Sequence, residues 1–392
     1  MTTLGWTLVI FSLLALGMHA LSAALAAWQL GRSKGSGKSA APAPSPIGTP
    51  RVSIVRPVCG IDDIERETLA TTFTLESDAE ILFCASRPDD PAVAYLRAMI
   101  AAHPNVDARI LTGDDLATAN PKLNNVAKGW RAATGDFVVM VDSNVVLPRD
   151  YVARLLEMWD QPATGLVSAP PIGGRPQTFW AEVECGFLNT YQARWQYAVD
   201  ALGLGFAQGK TLMFRKADLE RWGGIEALTE DLAEDAASTK LVRKAGLTVR
   251  LVSGSFEQPL GERSRAQIWS RQVRWAQLRR MAFPHLFLPE ILTGMWVPLA
   301  AILLGALLLD LPETLIALSF AGLWIGIEAA LAVSAGWHLG WRSPLAWMVR
   351  DALIPVLWLQ GLFGRGYEWR GNRVVTETEG PAMQPSPASA GS

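Results

Sequence analysis

The sequence predicts an α/β fold, with a mostly parallel, Rossmann-like sheet covered by helices. An N-terminal transmembrane anchor and C-terminal transmembrane helices flank it. Three observations carry this reading. Across residues 51–258, short apolar runs rich in β-branched residues alternate with helical patterns, which is the signature of βαβ units. An apolar run at residues 5–30 precedes that region, and two more at 291–309 and 314–335 follow it, each long enough for a bilayer helix. Half of the residues are hydrophobic and only 18% are charged, a balance skewed away from soluble proteins.

Residues 1–30 form the expected N-terminal transmembrane helix. His19 and Gln29 are the most polar members of its apolar run, and MTTLGWT at its start carries no charged side chain. The run therefore reads as an anchor and not a cleaved signal. Arg32, Lys34 and Lys38 follow it, which places the rest on the cytoplasmic side by the positive-inside rule. Residues 31–50, rich in Gly, Ser, Pro and Ala, read as a flexible linker. The expected catalytic domain covers 51–282. VSIVRPV, EILFCAS, ARILTG and DFVVMVDS read as strands, GLVSAP as a fifth, and 62–74, 90–102 and 122–133 as helices. Ligands of such sheets bind outside the carboxyl ends of the strands, so polar residues just past a strand are the first site candidates.

Between Arg263 and Arg280 there are six arginines and no acid, interleaved with Ile268, Trp269, Val273, Trp275 and Leu278. A basic interfacial helix at 263–282 would suit anionic lipid headgroups. Residues 283–366 form the C-terminal membrane region, with two spans joined by the acidic turn 310–313. The apolar stretch 352–363 contains Pro355 and is too short for a normal crossing. Its basic flanks favour a re-entrant or interfacial segment. The tail, 367–392, is expected to be cytoplasmic and largely disordered. This is the layout of a multi-pass integral membrane protein with a cytoplasmic catalytic domain, and the short loops suit a bacterial inner membrane.

Composition also excludes functions. A formal net charge of −2 offers no global field for nucleic acid. Cys59, Cys84 and Cys185 are far apart, which suits buried thiols in a reducing compartment better than a disulfide framework or zinc site. His19, His103, His285 and His338 are equally scattered, with no partner at ligand spacing.

Several residues have the chemistry of a site, each with a plainer alternative. Asp142 ends the buried strand DFVVMVDS, where it would hold a divalent cation against a diphosphate or serve as a turn residue. Asp89 or Asp90 in SRPDDP follows another strand and either N-caps the next helix or faces the base of a nucleotide. Glu230, Asp231, Glu234 and Asp235 crowd the start of a helical run. The helix dipole explains some of them, while transfer to an alcohol needs one as general base. Lys122 in PKLNN, which ends at Asn125, opens a helix, so it either reaches a phosphate or is solvated. Arg271 and Arg274 of RQVRW share a helical face and would stabilise a departing diphosphate, with Trp275 as a platform.

Together these residues resemble the ceramide glucosyltransferase family, a membrane branch of the GT-A glycosyltransferases marked by three separated aspartates and a (Q/R)xxRW motif. Asp90 in DDP, Asp142 in DSN, Asp235 in LAED and Arg271–Trp275 in RQVRW match in order and approximate spacing. PNVDARI, NPKLNN and GLVSAPP also look like family segments, and the similarity covers roughly residues 50–290. The resemblance implies a GT-A fold, a UDP-sugar donor, Mg²⁺ or Mn²⁺, and inversion at the anomeric carbon. On it Asp90, Lys122, Asn125, Asp142, Arg271, Arg274 and Trp275 bind the nucleotide-sugar. Asp142 is the metal ligand, and Asp235 is the catalytic base toward a primary hydroxyl of a membrane lipid, ceramide or similar. Three departures stand out. Asn144 replaces a second carboxylate, YQARWQY at 191–197 lacks the His–Pro pair of animal members, and Ala207 stands where they carry Cys. Other acceptors in the same chemistry are diacylglycerol, a hopanoid or a polyprenyl phosphate. A processive polysaccharide synthase would need more spans, and a catalytically silent scaffold would have lost the base or the metal aspartate.

Overall fold

The computed structural model describes residues 1–36, 50–116, 118, 120–252, 254, 256–364, 366–369, 372–375 and 383–385. The chain divides into two compact units, Gln29–Ile172 with Val199–Pro259, and Met1–Trp28 with Gly173–Ala198 and Leu260–Ser392.

The first unit is built on a seven-stranded sheet. In chain order its strands are β1 (Val52–Val58), β2 (Glu80–Ala85), β3 (Ala108–Thr112), β4 (Phe137–Val141) and β5 (Thr164–Ser168), which are the five expected from the sequence. After β6 (Pro171–Pro176) come β7 (Thr211–Arg215) and β8 (Thr248–Leu251). The order across the sheet is β3-β2-β1-β4-β7-β5-β8. Strands β1 to β4 pair in parallel, and β7 runs antiparallel between β4 and β5. The chain moves outward from β1 through β2 to β3, then returns to place β4 on the other side of β1. Connections thus diverge at β1 and β4, and the carboxyl ends of these strands are where ligands of such sheets bind.

Strand β4 is apolar throughout because both of its faces are covered. Val138 and Met140 join one core with Leu123, Val126, Ala127 and Trp130 of the helix Pro121–Ala132. Phe137, Val139 and Val141 join the opposite core with Tyr151 and Leu155 of the helix Tyr151–Glu157. Gly129 sets how closely the first of these helices approaches the sheet. A Cβ there would lie 2.5 Å from Val55 Cγ1 and 2.7 Å from Cys84 Sγ. That close seating fixes the height of the whole helix, and with it Lys122 at its start.

Among the described residues, three helices are long and apolar enough to cross a membrane, Thr2–Arg32, Glu313–Ala335 and Ser343–Phe363. The third differs from the sequence expectation. The apolar stretch at 352–363 belongs to a continuous helix of 21 residues that passes through Pro355. Its first half carries Arg350 and Asp351, which lowered its apparent hydropathy. Both are buried, and Arg350 donates to Glu328 on the neighbouring helix at 2.7 and 3.0 Å and to Asp351 at 2.9 Å. Paired in this way, the charges sit among apolar residues without remaining exposed to lipid. Of the expected span at 291–309, Trp296–Leu308 is one continuous helix, bent by 46° from Pro284–Leu292 before it.

Two boundaries also move. The first helix runs to Ser36, so 31–36 is helical and not linker. No proline occurs before Pro42, and glycine alone is a weak helix breaker. The remainder of the expected linker, 37–49, lies outside the described residues. The segment 173–198 and the basic helix Arg265–Ala282 belong to the second unit and not to the sheet domain. Val183 and Phe187 pack on Ala346, Ile354 and Leu357 of the third apolar helix. Beyond that helix, Gly366–Trp369, Asn372–Val375 and Met383–Pro385 pair as antiparallel strands, where disorder was expected. The sequences GYEW and NRVV hold the aromatic and β-branched residues that favour strands. The rest of that tail lies outside the described residues.

Gly129→Val should destabilise the sheet unit by about 1–3 kcal/mol through overpacking. Chemical denaturation of the detergent-solubilised protein measures this, and unchanged stability would contradict the close helix–sheet contact.

Candidate active site

A charged cluster gathers at the carboxyl end of β4. Asn120 caps the helix Pro121–Ala132 by accepting from Leu123 N at 3.0 Å, with Pro121 in the first turn. The cap places Lys122 on the helix's first turn. Its Nζ lies 2.7 Å from Asp142 Oδ1 and 2.7 Å from Glu234 Oε1, and it also donates to the Gly209 carbonyl. Asn120 secures the other oxygen of Glu234 with a 2.7 Å hydrogen bond.

Antiparallel pairing supplies a second ammonium. Register pairs Val141 with Thr211, and the Asp142 N–H donates to the Lys210 carbonyl at 3.2 Å. Lys210 is thereby held directly beside Asp142. Its Nζ donates to Asp142 Oδ2 at 2.7 Å and to Asn144 Oδ1 at 3.0 Å. Burial opposes the charge on Asp142, but Lys122 and Lys210 outweigh it and hold the carboxyl well below the usual carboxylate range. Lys122 behaves reciprocally. Burial disfavours its charge, and Asp142 and Glu234 more than restore it, raising its pKa.

Asp235 stands on the same cluster in a different electrostatic state. It lies in the first turn of the helix Glu234–Lys244, accepting from Gly209 N at 2.9 Å and from Ala236 N at 2.8 Å. Burial and the neighbouring Glu234 carboxylate push its pKa up to about 6. Two aspartates a few residues of space apart thus differ, one held firmly ionised and one poised to exchange a proton near neutrality. Gly209 leaves room for both, since a Cβ there would lie 2.8 Å from Glu234 Oε1 and 3.5 Å from Asp235 Oδ2.

The other expected residues are placed as follows. Asp90 N-caps the helix Pro91–Ala102 through Ala92 N at 2.9 Å, the plainer of its two readings. Its carboxylate also accepts from Gly60 N at 2.9 Å, tying the loop after β1. Asp89 pairs instead with Arg87 at 2.5 Å, where both are exposed. Asn125 is buried, and its amide donates to the carbonyls of Cys84 at 2.8 Å and Val58 at 3.3 Å. Its Oδ1 accepts from Lys128 at 2.5 Å. It therefore binds the ends of β1 and β2 together. Arg271, Arg274 and Trp275 lie on the helix Arg265–Ala282 of the second unit. There Arg271 donates to the buried Glu184, and Trp275 packs on Ala181, Cys185, Leu188 and Leu260.

Lys210 was not found from the sequence, and Glu234 was seen only as one of four acids. A Gly-Lys pair before the apolar run TLMF is visible, but only the pairing of β7 with β4 brings it to Asp142.

A divalent cation, tested on these donors, finds one carboxylate, Asp142, and one amide oxygen, Asn144, aimed at a common point occupied by the Lys210 ammonium. Among the described residues no three His, Cys, Asp or Glu side chains could hold a metal together. One carboxylate plus phosphate oxygens and water is an ordinary magnesium donor set. The residues therefore fit a cation that arrives with a diphosphate, and not a self-sufficient metal cage.

The sheet order, with a carboxylate at the end of β4, is that of a GT-A-like fold. The fold matches a mannosyltransferase from Pyrobaculum calidifontis, solved in complex with GDP-Man and Mn²⁺, with a TM-score of 0.52 at 19% identity, covering 91% of this chain and 99% of that one. The chain belongs to glycosyl transferase family 21, whose model matches residues 13–382. Ceramide glucosyltransferase 1 of Caenorhabditis elegans is 30% identical over 62% of this chain and 52% of its own length. Ceramide glucosyltransferase 3 of the same organism is 27% identical over 82% of this chain and 72% of its own length. The match thus spans about half the length of the first relative. The resemblance carried by the three aspartates and RQVRW is borne out at the level of the family.

If Asp235 must be deprotonated to act, the transfer rate should rise with pH through about 6 and level off above it. Because Glu234 contributes to raising that pKa, Glu234→Gln should move the rise to lower pH. A pH–rate profile checks both, and a rise that stays in place would uncouple Glu234 from Asp235.

Proposed function

We propose that this chain transfers glucose from UDP-glucose, with inversion, to the primary hydroxyl of ceramide or a similar membrane lipid. The observation that carries this reading is the contrast between Asp142 and Asp235 within one charged cluster, one held ionised by two lysines and the other raised to about 6. Family membership and the ceramide glucosyltransferase relatives support the donor and acceptor classes.

Asp142 is the group toward the donor diphosphate, with Lys122 and Lys210 beside it to balance phosphate charge. A bound Mg²⁺ or Mn²⁺ would be held by Asp142 and would neutralise charge on the leaving diphosphate. The Pyrobaculum enzyme of this fold was solved with a nucleotide-sugar and Mn²⁺, the ligand class inferred here. Asp235 takes the proton from the acceptor hydroxyl as its oxygen attacks the anomeric carbon from the face opposite the departing UDP. Asp90 borders the nucleotide from the loop that it holds to Gly60. Arg271, Arg274 and Trp275 keep the role toward the leaving UDP and the acceptor that the family resemblance implies, and within their own unit Glu184 fixes the Arg271 guanidinium.

Location follows the same reading. The three apolar helices make the chain an integral membrane protein, and the basic residues after the first helix keep the sheet unit in the cytoplasm, on a bacterial inner membrane. Lipid acceptor and soluble donor then meet at one bilayer surface.

Asp235→Asn should lower transfer at least about 10²-fold, the scale of a lost general base, while UDP binding by calorimetry persists. Turnover near wild type would remove Asp235 from the base role. A panel of UDP-sugars and lipid alcohols offered to the membrane-embedded enzyme tests substrate. Product formed only with diacylglycerol would reject the ceramide acceptor and keep the reaction class.

A further inference from the structure

The Lys210 ammonium lies between two oxygens from alternate residues of one turn, 2.7 Å from Asp142 Oδ2 and 3.0 Å from Asn144 Oδ1. These are the oxygens that the strand end offers to a divalent cation. Lys122 occupies the other oxygen of Asp142 but has a second carboxylate, Glu234 at 2.7 Å, to retain it. A cation arriving at the Asp142–Asn144 pair meets Lys210 head on.

We propose that Lys210 is a tethered cation that occupies the Asp142–Asn144 oxygens and yields them to an incoming divalent ion, its ammonium then turning to the donor diphosphate. The inference rests on reading Asp142 as the diphosphate-side carboxylate. Two further observations support it. The backbone of Lys210 is fixed, because its carbonyl accepts from the Asp142 N–H at 3.2 Å and the next residue, Thr211, pairs with Val141. A displaced Nζ thus stays within a side-chain length of the strand end. The cluster also sets three carboxylates, Asp142, Glu234 and Asp235, against the two ammoniums of Lys122 and Lys210. Its residual charge favours a cation over a free diphosphate, so the donor enters with its counter-ion. Lys210 keeps the strand end neutralised between turnovers and discourages a metal bound without donor.

Direct Mn²⁺ binding to the full-length protein in nanodiscs, followed by electron paramagnetic resonance with Mn²⁺ alone, tests this. Lys210→Met should bind Mn²⁺ about tenfold or more tightly than wild type, because a like charge a few ångströms away has been removed. Lys210→Gln, which keeps an N–H donor for Asp142 and Asn144, should tighten binding in the same direction. Lys210→Arg, which keeps the charge, should stay at wild type. With saturating Mn²⁺, UDP should bind Lys210→Met about tenfold more weakly, the scale of a lost charge-assisted contact. Mn²⁺ affinity that is unchanged or weaker in both neutral variants would overturn the proposal. Asp142→Asn separates it from the underlying reading. If that variant retains wild-type Mn²⁺ affinity, the assignment of Asp142 falls, whereas loss in Asp142→Asn without tightening in Lys210→Met defeats Lys210 alone.

Discussion

Asp142 and Glu234 approach one another from the end of β4 and from a helix more than ninety residues later, and the Lys122 ammonium bridges them. Two carboxylates brought together without a cation cannot both remain ionised. With Lys122 2.7 Å from each, the helix Pro121–Ala132, the turn at Gly209 and the helix Glu234–Lys244 converge on one point. Much of the surrounding structure serves this convergence. Gly129 lets the lysine's helix lie low on the sheet, Asn120 caps it and holds Glu234, and Asn125 ties together the strand ends beneath.

The legible part of the fold was the part encoded by contiguous residues. β1, β2, β4 and β5 stood out because buried strands are short apolar runs, and Asp142 stood out as the first acid past such a run. Lys122 and Asp235 were visible as charges at helix starts. Lys210 was not, because β4 and β7 are seventy residues apart and nothing local announces their antiparallel pairing. The helix Ser343–Phe363 was cut short for a related reason. Hydropathy counts Arg350 and Asp351 as charges, whereas in the fold they are partners of Glu328 and of each other. Asp90 shows the opposite case, since an N-cap is a local device and the plainer reading of SRPDDP described what its carboxylate does.

The basic helix Arg265–Ala282 was legible in composition but not in its contacts. Five arginines without an intervening acid suggest a surface for anionic lipid. In the fold, Arg271 donates to Glu184, and Arg279 makes a two-pronged contact with Glu290 at 2.7 and 2.9 Å. The acids lie outside the helix, on segments that its own sequence could not reveal. Arginine's planar fork suits such fixed pairing, so the motif residues stand on a framework of specific partners and not only on a diffuse field.

The bond between Glu328 and Arg350 bears on how the chain enters a bilayer. Each residue alone, near the middle of a lipid-exposed helix, would resist insertion by roughly 2.5–3.5 kcal/mol for a charged side chain. Joined at 2.7 Å, they shield one another. The helices Glu313–Ala335 and Ser343–Phe363 are therefore better regarded as one hairpin than as two independent crossings. During synthesis Glu328 emerges before Arg350, so the hairpin gains this ion pair only when its second arm arrives.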